Sequence, residues 1–135
     1  MHKLEMATIM SSVTTDVIFE PDALKAYIRN EAAMKLKLKN TDQARSFWCE
    51  ADVSVNSPLS LAPDTELGIG KMRVGILKPG SSIEKSIKLY TRPNNFPDQY
   101  GIKITVFLYD EDGAIAERED KLITIPCIEQ RVSQG

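Results

Sequence analysis

One histidine, two cysteines and scattered carboxylates are all that this chain offers to catalysis or metal binding. His2 sits one residue from the first position. A general base or triad member must be held by packing and hydrogen bonds, so His2 reads as an exposed tail residue. One His and two Cys are too few for a four-ligand zinc site. Cys49 and Cys127 carry the parity of the apolar residues around them. They are expected as unbridged thiols packing like small apolar residues. Asp110-Glu111-Asp112-Gly113 begins like a calcium loop, but Ile115 and Lys121 stand where an EF-hand needs Gly and Glu. A polar hairpin tip is the simpler reading. Gly68-Ile69-Gly70 has neither a third glycine nor a following helix to cradle phosphate. No nucleophile, base or acid set has catalytic spacing, so a non-enzyme without cofactor or metal is expected.

Binding chemistry is better represented. Trp48, Phe107 and Tyr109 share the outward parity of two strong strands. Aromatics gathered on an outer sheet face are what interfaces use. The competing account is a cover from the same chain, either a terminal segment or a helix at 21–30. Lys35, Lys37 and Lys39 put three like charges on another outer face, a stripe able to touch phosphate or an anionic surface. The plainer account is a solvated face, partly neutralised by Glu84. Glu117-Arg118-Glu119-Asp120-Lys121 breaks the alternation of the last strand. It reads as a bulge or a protruding hairpin arm that protects an edge, with contact to a basic partner as the second reading.

Strands must position these residues, because period-two alternation is the dominant signal. Met34, Leu36 and Leu38 alternate with lysines; Phe47, Cys49, Ala51, Val53 and Val55 alternate with Trp48, Glu50, Asp52 and Ser54. Ile102, Ile104, Val106 and Leu108 alternate in the same way. Such a pattern puts one set on a core face and the other outside. Weaker strands are legible at 15–20, 67–77, 83–90 and 122–127. Turn signals separate them, among them Pro79-Gly80, suited to a type II turn, and Asp112-Gly113, a hairpin signal. The segment 21–34 stays open: Pro21 with Leu24, Tyr27 and Ile28 has helical spacing, whereas a sandwich wants a strand there. About seven short strands so punctuated indicate an all-β, antiparallel β-sandwich. Its expected span is 14–127, with flexible tails at 1–13 and 128–135.

The 135 residues are 42% hydrophobic and 27% charged, enough to bury one core. A net charge of −2 argues against a dedicated nucleic-acid binder. The apolar patch at 7–10 is too short for a secretory signal, and no run reaches the ~20 apolar residues of a membrane span. Cytoplasmic localisation is expected.

Met34–Thr41, then Leu77-Lys78-Pro79-Gly80-Ser81-Ser82, then Tyr100-Gly101-Ile102-Lys103-Ile104-Thr105-Val106 follow one another in an order that resembles immunoglobulin-like domains of the CARDB type. The front part, with Phe19-Glu20-Pro21 closing a first strand, is similar to the major sperm protein sandwich. The resemblance implies an all-β, antiparallel immunoglobulin-like β-sandwich, in whose strand order the strands of Cys49 and Cys127 flank the one at 100–109 without adjoining, too far apart for a bridge; it says little about activity. Within it, Tyr100 stands where a tyrosine corner would brace the sandwich.

The functional expectation is a protein-interaction module that binds a protein partner, or a second copy of itself, through Trp48, Phe107 and Tyr109. The lysine stripe is a further candidate contact. The alternative is a carbohydrate- or calcium-binding accessory domain using the end loops at 93–97 and 110–113.

Overall fold

The structure, a computed structural model, describes residues 12–129. Eight strands follow in order: β1 (Val13–Glu20), β2 (Leu24–Lys25), β3 (Asn30–Asn40), β4 (Phe47–Val55), β5 (Ile69–Leu77), β6 (Ser82–Thr91), β7 (Asp98–Tyr109) and β8 (Ile115–Ile128). One sheet has the order β1-β3-β6, the other β2-β8-β7-β4-β5. The chain is all-β, as its alternation predicts, but the second sheet is mixed. Every pairing would be antiparallel in the expected fold; here β2 lies parallel to β8, with Leu24 opposite Cys127.

The two inner faces meet in one apolar core. Met34, Leu36 and Leu38 of β3 oppose Phe47, Cys49, Ala51 and Val53 of β4 and Ile102, Ile104 and Leu108 of β7, all essentially inaccessible to water. Burying each Leu or Ile contributes about 1.5–3 kcal/mol. Tyr100 leans on this core half-buried, and its hydroxyl donates to the Phe96 carbonyl and accepts from the Phe96 N–H. The corner expected from the sequence therefore forms.

No helix develops over 21–34. Leu24 and Ala26 are buried two residues apart, which is a strand period. The Ala26 N–H donates to the Ile128 carbonyl at 2.8 Å, extending the contact with β8. Side chains take up the remaining backbone groups. Asn30 Oδ1 accepts from Lys25 N–H, and its Nδ2 donates to the Lys25 and Ile28 carbonyls. Asn95, fully buried, accepts from Tyr27 N–H and donates to the Ile28 carbonyl. Helical spacing in the sequence loses to these tertiary bonds. They also hold Tyr27 at φ 69°, a left-handed conformation that costs a non-glycine residue about 1 kcal/mol or more.

β8 starts seven residues earlier than its apolar half suggests. Its charge run is neither solvated on both faces nor a protruding arm: it pairs with β7 throughout, Glu117 opposite Leu108 and Asp120 opposite Thr105. Glu117, Glu119 and Lys121 turn inward, but the surface they meet is the polar start of β1. Ser12 Oγ donates to Glu117 at 2.7 Å, Thr15 Oγ1 to Glu119 at 3.1 Å, and Lys121 Nζ to Thr15 Oγ1 at 3.3 Å. This polar seam joins the edges of the two sheets, so the sandwich curls toward a half-barrel on that side.

Candidate protein-interaction face

The outer face of the larger sheet carries the aromatics. Cross-strand register sorts it into levels. At the first, Ile76 of β5, Trp48 of β4, Tyr109 of β7 and Ile115 of β8 lie side by side. The second level is Arg73, Glu50, Phe107 and Arg118; the third is Lys71, Asp52, Thr105 and Asp120; the fourth is Ile69, Ser54, Lys103 and Leu122. Trp48 is 38% exposed, Ile76 58% and Ile115 57%, an apolar row across four strands.

Two irregularities make that row. Strict alternation from Arg73 would turn Ile76 inward, but the register shifts opposite Cys49 and Glu50, and Gly75 takes φ 120°. A second shift beside Leu108 and Tyr109 skips Ala116 and turns Ile115 outward. Bulges re-aim side chains in this way. Both isoleucines were missed in the sequence. The available signals were Gly75, an interruption in a strand, and the Asp112-Gly113 tip, separated from the start of β8 by Ala114 alone.

The aromatics are locally fixed. Trp48 Nε1 donates to Glu50 Oε2 at 3.0 Å. Phe107 and Tyr109 stack with centroids 6.4 Å apart, and the Arg118 guanidinium lies 5.5 Å over the Phe107 ring. Below them charges of both signs lie side by side. Lys71 Nζ is 3.7 Å from Asp52 Oδ1, an ion pair too long for a hydrogen bond, and that oxygen has no hydrogen-bond partner among the described residues. Thr105 Oγ1 donates to Asp120 at 2.8 Å and lowers the pKa of that carboxyl. The segment 21–29 docks at the far end of β8 and leaves Trp48 uncovered.

Lys35, Lys37 and Lys39 lie on the outer face of the other sheet, across the core from the aromatics, so the two groups do not form one site. Glu20 Oε1 pairs with Lys35 Nζ at 2.5 Å and raises its pKa, and Asp16 and Glu84 flank Lys37 from both sides. The stripe is thus largely neutralised by its neighbours.

The two end loops are also apart. Residues 93–97 precede β7 and 110–113 follow it, at opposite ends of that strand. In the second loop, Asp110 Oδ1 already accepts from the N–H groups of Asp112 and Ala114, at 2.9 and 3.0 Å. Among the described residues no group of three or more His, Cys, Asp or Glu is placed to hold a metal. Cys49 and Cys127 are buried and unbridged. Burial pushes the Cys49 thiol up to about 12, and Cys127 Sγ donates to Asn95 Oδ1 at 3.4 Å. His2 lies outside the described residues. No helix among them is long and apolar enough to cross a membrane.

No family model matches the chain, and no curated protein matches its sequence. Solved structures resemble it. The sporulation control protein Spo0M of Bacillus subtilis aligns over 90% of this chain and 51% of its own, with a TM-score of 0.49 and 13% identity. BcpA, the major pilin subunit of Bacillus cereus, aligns over 85% of this chain and 40% of its own, at 0.56 and 8%. AvmM, described as catalysing macrocyclization in alchivemycin A biosynthesis, aligns over 99% and 98%, at 0.51 and 10%. The chain thus spans about half of Spo0M and less than half of the pilin. The pilin and AvmM share a β-rich fold with it; at such identities the likeness shows fold alone.

Proposed function

We propose that this chain is a non-catalytic protein-interaction module that binds a protein through the outer face of its larger sheet. One observation carries the reading: Ile76, Trp48, Tyr109 and Ile115 form an apolar row at a single level, and two bulges turn its end members outward. A bulge costs regular pairing, and both are spent on exposing apolar surface. Burial of the Trp48 indole would contribute roughly 2–3 kcal/mol to a complex. The finer fold assignment, an immunoglobulin-like sandwich, belongs to the same reading and is supported by the Tyr100 corner.

A photo-crosslinking residue placed at Phe107 tests the face in cells. The expected result is a covalent adduct to protein that disappears when Trp48→Ala and Ile76→Asp are added. Absence of any protein adduct, together with a rise in melting temperature on adding calcium or glycans, would move the function to the end loops.

A further inference from the structure

We infer that the protein bound by this face is a second copy of the chain, related by a twofold axis parallel to the strands and lying between β4 and β7. The inference rests on the interaction reading above and goes further by naming the partner and its orientation. Such an axis exchanges β4 with β7 and β5 with β8 while keeping each level on itself. An isologous interface needs every residue to meet its complement under that exchange. At the first level Trp48 meets the second copy's Tyr109, and Ile76 meets its Ile115. At the third, Lys71 meets Asp120, a pair of opposite charges made twice by the twofold. At the fourth, Ile69 and Leu122, 74% and 77% exposed, cover each other.

Only the second level sets like on like, Arg73 against Arg118, and there Glu50 lies next to Arg73 on its own sheet. The other in-plane axis, perpendicular to the strands, is much worse. It would put Arg73 on Lys71 and Glu50 on Asp52, and like-charge contacts cost several kcal/mol. Charge therefore selects one orientation of two. Four strands about 4.8 Å apart and four levels about 6.7 Å apart make a face of roughly 500 Å² per copy. That lies at the small end of specific interfaces, so the dimer is a weak one with a dissociation constant in the micromolar range or above.

Sedimentation equilibrium from about 5 to 500 µM tests it, with thermal melts to confirm that each variant folds. The wild-type chain is expected to dimerise with concentration. Lys71→Glu and Asp120→Lys should each weaken dimerisation at least about fivefold. An equimolar mixture of the two variants should dimerise about as well as wild type, because both cross-copy ion pairs are then restored. Dimers indifferent to either reversal, or a mixture no better than its components, would overturn the twofold. A chain that stays monomeric while Phe107 crosslinks to a different protein would remove the second copy and leave the interaction reading intact. Neither dimer nor adduct would remove both.

Discussion

Three buried polar side chains do more to shape the loops than any apolar one. Asn95 accepts from Tyr27 N–H and Cys127 Sγ, and donates to the carbonyls of Ile28 and Arg92 and to Thr91 Oγ1. Asn40 donates to the carbonyls of Arg45 and Leu77 and accepts from Asp42 N–H. Ser60 Oγ donates to the Thr65 carbonyl and accepts from Leu67 N–H. Each stabilises a connection whose backbone groups would otherwise be buried unpaired. Asn95→Ala should cost about 2–4 kcal/mol in urea unfolding, because several groups lose their partner at once. The exposed neighbour Asn94→Ala should change stability by about 0.5 kcal/mol or less. Equal effects at both positions would contradict this account.

At the scale of elements, the turn into β4 and the bulge in β5 make separate predictions. Asp42 Oδ1 accepts from the N–H groups of Ala44 and Arg45, at 2.7 and 2.9 Å, and Oδ2 takes the Arg45 guanidinium at 2.9 Å. These bonds hold the carboxyl at about 2, below its ordinary 3.8. Folding therefore favours the ionised form. The stabilisation is complete above pH ~4 and is lost as the pH falls through ~2. Melting temperature against pH should show a drop between those values that is smaller in Asp42→Asn. In β5, Gly75 takes φ 120°, and an added Cβ would meet only Ile83 Cδ1, at 3.8 Å. Gly75→Ala should then cost about 1–3 kcal/mol through backbone strain alone. Relieving Ile83 by truncation would not recover it.

For the whole molecule, adjacent residues with opposite fates give the clearest contrast. Phe47 is almost completely buried under the Arg45 guanidinium, 5.0 Å from its ring, while Trp48 stands outside. Phe47→Ala should lose about 3–5 kcal/mol of stability. Trp48→Ala should lose about 1 kcal/mol or less in the isolated chain and act instead on association. Loss of cooperative unfolding in the Trp48 variant would return that side chain to the core and end the interface reading.

Alternation alone determined much of this. Side-chain direction along a strand follows from the covalent backbone, so the inward set of β3, β4 and β7 and the outward parity of Trp48, Phe107 and Tyr109 were legible without any partner strand. Turn chemistry was legible for the same reason: Pro79-Gly80 and Asp112-Gly113 act through their own φ angles, and both glycines take positive values. The remainder needed the neighbours. Leu24 and Lys25 chose a strand because β8 and two asparagines were there to bind the backbone of that segment. Glu117, Glu119 and Lys121 could face inward because the surface opposite is Ser12 and Thr15, not apolar side chains. Ile76 and Ile115 joined the aromatic row through register shifts, which are properties of a pair of strands and of neither alone. A single strand specifies which residues share a face. What packs against it decides which face is core, and where the register slips.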